Sequence, residues 1–226
     1  MKFTFLGHAC FSVEVAGSRL LFDPFITGNP RATHLDVDQI EADYVLLTHG
    51  HGDHVADAEP ILRRTGARLV SSYEIVSWYG EKGITNGHPM NLGGSYRTPF
   101  GRVKYVTAVH SSVLPDGTYG GNPGGFVVES AEGTFYVSGD TALTQDIKLI
   151  GEFHQPDWAV LCIGDTFTMG PEDAAIAAEW AGVKRVVGVH YDTFPPIEID
   201  HDAAKRAFAA RGVELLLPAI GETIEL

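Results

Sequence analysis

The six residues His49-Gly50-His51-Gly52-Asp53-His54 put three imidazoles and a carboxylate into one short loop. Imidazole nitrogen and carboxylate oxygen are donors for divalent transition metals, and the two glycines leave the space for an ion uncrowded. At this chain's own His and Asp frequencies, an H-x-H-x-D-H string arises by accident in roughly one chain in a thousand of this size. The residues before it, Asp43 to Leu47, read as a short apolar strand that Thr48 ends. Extended residues two apart point the same way, so His49 and His51 can reach one ion. Asp53 and His54 then open a helix predicted over 53–64, with Val55, Ala58, Ile61 and Leu62 on one face. From its first turn they present their side chains toward a second position. The competing reading makes Asp53 an N-cap and leaves the histidines on a solvated loop.

A chain of 226 residues with 44% hydrophobic content suits one domain over 1–226, or two half-domains fused without a linker. Strands are expected at Lys2 to Leu6, Cys10 to Val15 and Arg19 to Phe22, the last two joined by the turn Ala16-Gly17-Ser18. After the metal-type loop come a strand at Arg68 to Ser71, a helix at Tyr73 to Tyr79 and a strand from Arg102 to His110. A hairpin pairs Gly125 to Ser130 with Thr134 to Ser138. Helices are expected at Thr144 to Phe153, at Pro171 to Ala181 with proline at its first position, and from a cap at Asp200 to Ala210. Between and after them lie strands at Trp158 to Cys162, Arg185 to Val189 and Glu214 to Leu217. Strand-rich and βα segments occur in both halves, which predicts two sheets packed face to face with helices outside. The loops 23–36, 84–99 and 111–124 are expected to shape a pocket, and the glycine-dense stretch 116–125 to be a lid or a plain connection.

The net charge of −13, from 29 acids against 16 bases with no Lys/Arg cluster, argues against nucleic acid as the main substrate. No stretch is long and apolar enough to span a membrane, and the N-terminus runs into a strand pattern without a signal-peptide layout, so the expected location is cytoplasmic. Cys10 and Cys162 sit in apolar runs and read as reduced core residues. A homo-oligomer is a general expectation for a soluble chain, with no interface marked in the sequence.

One loop supplies four donors, and a metal pair needs about three more, including an oxygen that can bridge. His110, Asp140 in Ser138-Gly139-Asp140-Thr141, and His190 each follow an apolar strand, at the end where α/β folds place sites. Together with the loop at 48–54 and Gly188-Val189-His190-Tyr191, these motifs resemble the metallo-β-lactamase superfamily in order and spacing. The segments Leu6-Gly7-His8-Ala9-Cys10-Phe11, Asp23-Pro24-Phe25 and Thr168-Met169-Gly170-Pro171-Glu172-Asp173-Ala174 resemble its UPF0173 metal-dependent hydrolase branch. That branch is related to the lactonase that opens ascorbate 6-phosphate and, more distantly, to phospholipase D-type enzymes acting on N-acylethanolamine phospholipids. The resemblance implies an α/β fold, a four-layer αββα sandwich of two mixed β-sheets with helices on the outer faces. It implies that His49, His51 and His110 hold a first metal, that Asp53, His54 and His190 hold a second, and that Asp140 bridges. His51 stands where the di-iron redox branch carries a glutamate, and the large inserted domain of the RNA-processing branch is absent.

Such a pair lowers the pKa of a shared water, giving a bridging hydroxide near neutral pH that attacks an electrophilic carbon or phosphorus. The reading is therefore a dinuclear metal-dependent hydrolase of a small-molecule ester, lactone or phosphodiester. A nuclease, or a metal-binding sensor without turnover, are the competing classes. His and Asp donors without a thiolate suit zinc, with manganese, iron, nickel or cobalt also compatible. Asp53 is expected to orient the hydroxide and relay its proton. His8, near the mouth in the family reading, is expected either to contact substrate or donate a proton, or to make a structural hydrogen bond. Asp23 is expected either to hydrogen-bond a ligand histidine or to form only a turn before Pro24. Asp165 and Thr166 are weaker pocket candidates, and Asp192 and Thr193 are either outer partners or a turn. His34, His88, His154 and His201 carry no partner pattern, and Trp78, Trp158 and Trp180 read as core or interface aromatics.

Overall fold

Alternation of side chains along the strands divides the apolar residues into a layer between two sheets and a layer outside one of them. The computed structural model describes residues 1–226. Its strands are β1 (Lys2–Gly7), β2 (Cys10–Val15), β3 (Ser18–Phe22), β4 (Tyr44–Leu46), β5 (Arg68–Ser72), β6 (Gly87–Met90), β7 (Ser95–Thr98), β8 (Gly101–Thr107), β9 (Gly124–Ser130), β10 (Gly133–Val137), β11 (Trp158–Cys162), β12 (Arg185–Val189), β13 (Glu214–Leu216) and β14 (Thr223–Glu225). Its α-helices are α1 (Gly52–Val55), α2 (Ala58–Thr65), α3 (Tyr73–Glu81), α4 (Asp146–His154), α5 (Pro171–Ala181) and α6 (His201–Ala209). One seven-stranded sheet runs β14-β1-β2-β3-β4-β5-β6 and the other β13-β12-β11-β10-β9-β8-β7. Both are mixed: β1 to β3 and β7 to β10 pair antiparallel, whereas β3 to β6 and β10 to β13 pair parallel.

On the first sheet Phe11, Val13, Val15, Leu20, Phe22, Leu46 and Val70 join the core shared with the second sheet. Their neighbours Cys10, Leu21, Val45 and Leu69 face the other way, onto Val55, Ala58, Ile61, Leu62, Ile75 and Tyr79 of α1 to α3. That is the period of two expected where both faces of a strand are covered. Phe22 meets Phe126 and Phe135 edge-on across the sheets at centroid distances of 6.1 and 6.2 Å. On the outside of the second sheet, α5 packs through Ala174, Ala175, Ala177, Ala178 and Ala181. These small side chains let α4 come so close that a Cβ on Gly151 would lie 2.4 Å from the Trp180 carbonyl oxygen. The result is the αββα order of layers. Cys10 and Cys162 are free and buried, and no helix is long and apolar enough to cross a membrane.

Three expectations are corrected. The helix over 53–64 is two helices, α1 and α2, separated at Ala56 and Asp57. Pro60 explains the break, because in a continuous helix its ring would meet the Ala56 carbonyl, whereas in α2 it falls in the first turn, where no N–H is needed. The strand expected to run to His110 stops at Thr107, so His110 is delivered by a loop. The segment 84–99 carries β6 and β7 and is not an open loop. With β14, these are edge strands, short and largely polar, and Pro89 is tolerated in β6 because an edge strand can spare a ladder donor.

Candidate metal centre

Strand ends bring the centre together. His8 follows β1, Asp23 follows β3, the loop 49–54 follows β4, His110 lies beyond β8, Asp140 beyond β10, and His190 follows β12. Several of these residues turn sharply out of their strands. His8, Asp23 and His190 have φ of 56°, 42° and 58°, and Gly139 has 60°. Left-handed backbone costs a non-glycine residue about 1–2 kcal/mol, and such strain concentrates where the surrounding structure imposes a geometry. His190 is held in place by its N–H, which donates to the His8 carbonyl at 2.8 Å.

Asp140 is the hub. Its Oδ2 lies 3.0 Å from His190 Nε2, 3.2 Å from His54 Nε2, 3.7 Å from His110 Nε2 and 3.9 Å from His49 Nε2. His49 Nε2 is 3.0 Å from His51 Nδ1, and His190 Nε2 is 4.0 Å from Asp53 Oδ2. Two donors on one tetrahedral ion with bonds of about 2.0–2.1 Å sit about 3.3 Å apart, so these spacings match donors shared by an ion. Donor atoms fall into three convergent groups: His49 with His51 and His110; His49 with His54 and Asp140; and His8 with Asp53, His54 and His190. His54 Nε2 and Asp140 Oδ1 are buried and have no hydrogen-bond partner. Buried polar atoms are rarely left so, and a cation between them would satisfy both. All seven residues expected as ligands therefore converge, with His8 beside them.

Tautomers follow from the outer partners. The carboxylate of Asp23 can only accept, so Thr48 Oγ1 donates to its Oδ2 (2.6 Å), the Thr48 N–H donates to its Oδ1 (2.8 Å), and His54 Nδ1–H donates to its Oδ2 (2.8 Å). With its proton spent on Asp23, Thr48 Oγ1 accepts from His49 Nδ1–H at 3.0 Å. One carboxylate thus aims the Nε2 lone pairs of both His54 and His49 at the centre, as carboxylates behind metal-binding histidines do. Asp53 also only accepts, so His8 Nε2–H donates to its Oδ2 at 3.1 Å and His8 Nδ1 accepts from the Thr193 hydroxyl at 2.9 Å. Replacing Asp23 with alanine is expected to lower metal affinity about 10- to 100-fold, read by titration against a competing chelator.

The electrostatics agree with a cation site. Burial keeps His49 well below the usual histidine pKa and lowers His51 and His110, so these imidazoles are neutral donors. Burial also brings His8 down to about 4, against the pull of its hydrogen bond to Asp53. Burial opposes charge on Asp140, yet His54 and His190 hold it well below the carboxylate range. Asp53 is likewise lowered, the hydrogen bond from His8 and the field of His54 outweighing burial. Burial opposes charge on His54 too, but Asp140 and Asp23 on either side hold it well above the histidine range, so without an ion a proton takes the Nε2 position and must leave before that lone pair can bind a metal.

Access is one-sided. His49, His54, Asp140 and His190 are buried, whereas the Asp53 side chain is 32% exposed and His51 and His110 are partly open. Loop 111–124 borders this opening and is pinned, since Ser112 Oγ accepts from the Gly50 N–H at 3.1 Å and the Gly124 N–H donates to Thr48 O at 3.1 Å. It is a connection tied to the metal-type loop. Asp165 and Thr166 form a tight turn with φ of 58° and 53° and touch none of the convergent donors. Asp192 turns away to His201, with Oδ2 2.6 Å from its Nε2. His154 pairs with Glu129, His88 stacks on Tyr96, and His34 Nε2 lies 3.3 Å from the Ile220 carbonyl, all apart from the centre. Trp158 is core, whereas Trp78 reaches outward to Asp116. Sequence reasoning missed Thr48, Ser111 (3.4 Å from His51 Nε2), Ser112 and Phe194, whose ring lies 5.6 Å from that of His8. Small hydroxyl residues next to ligands carry no spacing signal, although their adjacency to His49 and His110 could have raised them.

A family profile described as a beta-lactamase superfamily domain matches residues 18–191. The chain is 54% identical over 226 residues to a "UPF0173 metal-dependent hydrolase" of Flavobacterium johnsoniae, covering all of both chains. It is 51% identical over 227 residues to a protein of the same description from Christiangramia forsetii, again covering all of both. Among solved structures it is similar to a metallo hydrolase from Ignicoccus hospitalis, with a TM-score of 0.89, 35% identity, and coverage of 99% of this chain and 97% of the other.

Proposed function

The chain belongs to the beta-lactamase superfamily and, within it, to the UPF0173 metal-dependent hydrolases, and on that premise we propose that it is a dinuclear hydrolase of small-molecule esters, lactones or phosphodiesters. The observation that carries this reading is Asp140 Oδ2, which lies within 3.9 Å of four histidine Nε2 atoms drawn from three separate segments of the chain. In this assignment His49, His51 and His110 would hold one divalent ion, and Asp53, His54 and His190 the other. Asp140 would serve both. Zinc is the default, because the donors are imidazole and carboxylate with no thiolate.

When bound, such a pair supplies a water of lowered pKa as nucleophile and polarises the oxygen of the bond under attack. The chain's own groups do the rest. Asp53 is the carboxylate nearest solvent, and its oxygens would accept the proton of the attacking water. His8 would steer that carboxylate through its Nε2–H, with Thr193 fixing the ring. It lies 1% exposed, so its part is played through Asp53. Asp23 holds His54 directly and His49 through Thr48, which keeps the donors aimed before any ion arrives.

The test is elemental analysis together with hydrolysis of bis(p-nitrophenyl) phosphate and of a simple lactone, before and after chelation. About two metals per chain with chelator-sensitive turnover is the expected result. Absence of bound metal after reconstitution would sink the ligand assignment.

A further inference from the structure

We propose that the substrate is an uncharged carboxylic ester or lactone bearing an apolar group, and that Val109, Val113, Tyr119 and Phe167 receive that group at the mouth of the site; this rests on the hydrolase reading above. Seven large apolar side chains are well exposed in the molecule, and these four, at 50, 45, 61 and 58%, belong to loops hydrogen-bonded to the segments that carry His49, His110 and Asp140. Val109 adjoins His110, and its N–H donates to Thr141 Oγ1 at 2.9 Å, one residue beyond Asp140. Val113 bridges to Tyr119 on the loop whose backbone would meet a Cβ on Gly50 at 3.3 Å. Exposed apolar side chains gathered around a polar centre are costly in a free monomer and mark a recognition surface.

Phe167 is presented by a strained and well-fastened turn. Asp165 and Thr166 are consecutive left-handed residues. The Asp165 N–H donates to Met169 O, the Met169 N–H donates to Thr141 O at 2.9 Å, and Thr166 Oγ1 donates to Pro196 O at 2.7 Å. Nothing in this turn buries the ring it carries. Backbone strain that holds an aromatic ring in the open, on a loop anchored beside Asp140, fits a ring kept ready for a ligand.

The charge pattern excludes an anion as the preferred ligand. None of the 16 lysines and arginines lies in residues 32–62, 105–147, 149–183 or 186–204, which carry the donors from His49 onward and the whole rim. Arg31 lines a cavity together with His8, and it is engaged with the Asp192 carbonyl at 3.0 Å and with Glu198 at 3.9 Å. Phosphoryl recognition ordinarily employs guanidinium or ammonium groups for the oxygens that do not react, and the rim offers none. An ester or lactone needs no such partner. Its hydrolysis balances with water alone: the water oxygen bonds to the acyl carbon, the C–O bond to the alkoxy oxygen breaks, and that oxygen takes a proton. An ester gives an acid and an alcohol, and a lactone a hydroxy acid.

The experiment uses the metal-loaded full chain and a homologous series of p-nitrophenyl esters and γ-lactones with alkyl tails of increasing length, beside bis(p-nitrophenyl) phosphate. The expected result is a kcat/KM that rises about tenfold from the shortest to the eight-carbon tail and exceeds that for the phosphodiester. Phe167→Ala should remove most of that rise through KM, with metal content at the parental level, and Tyr119→Ala provides an independent check. Chain-length independence, or a preference for the phosphodiester, overturns this proposal while chelator-sensitive turnover would leave the hydrolase reading standing. If no substrate is turned over, calorimetric titration with alkyl trifluoromethyl ketones reads the rim directly, and affinity blind to tail length overturns the proposal. A loss of self-association in Phe167→Ala with unchanged kcat/KM would reassign the patch to contact between copies and overturn it as well.

Discussion

Asp140→Ala is expected to reduce chelator-sensitive hydrolysis by about three orders of magnitude or more, and to leave the chain with one metal or none in place of the proposed two. The size of the effect follows from the hub geometry. Asp140 Oδ2 lies near His49 and His110 on one side and near His54 and His190 on the other. Removing it leaves four buried or partly buried imidazoles without the one anion they share, so the repulsion between two neighbouring cations would no longer be offset by a negative charge between them. Elemental analysis and turnover on the same sample check the result. A variant that keeps two metals and full activity would show that Asp140 does not bridge. Asp140→Asn separates charge from shape: it should fold as the parent does and still lose most of the metal.

The second large effect is on stability. Trp158→Ala is expected to destabilise the fold by about 3–5 kcal/mol, read as a drop in the midpoint of denaturant unfolding at constant slope. Trp158 opens β11, is 1% exposed, and stacks on Phe135 at 4.6 Å while meeting the edge of Phe3 at 6.2 Å. It therefore ties the second sheet to β1 of the first. Truncation would leave a void that two rigid sheets cannot close, since neither can move inward without disturbing its own ladder. Trp158→Phe should recover a large part of the loss. A change below about 1 kcal/mol for the alanine variant would contradict the packing described.

Much of the fold was legible because strand period and helix caps are local signals. The cap at Asp200 and the proline-led start of α5 are where the sequence expects them, and Asp200 accepts from the Ala203 N–H at 2.9 Å. The misses share a cause. β6, β7 and β14 gain their structure by adding to an existing edge, and residues such as Gly87-His88-Pro89-Met90 carry no alternation of their own. The break between α1 and α2 was carried by Pro60, whose effect on the turn before it outweighed the apolar stripe that argued for one helix.

At the centre, the sequence by itself determined which donors are available. The H-x-H-x-D-H loop, together with His110, Asp140 and His190 at or beyond strand ends, names the ligand types and the kind of ion they suit, because both depend only on side-chain chemistry and short-range spacing. Tertiary structure alone decided that Asp140 Oδ2 is the shared point, that Asp23 aims His54 directly and His49 through Thr48, and that His8 faces Asp53. Those are relations between residues up to 91 positions apart (His49 to Asp140), set by how two sheets bring their strand ends to one edge. Local pattern carries no information about such distances, because a hydrogen bond between remote residues exists only after packing has fixed where both strands end.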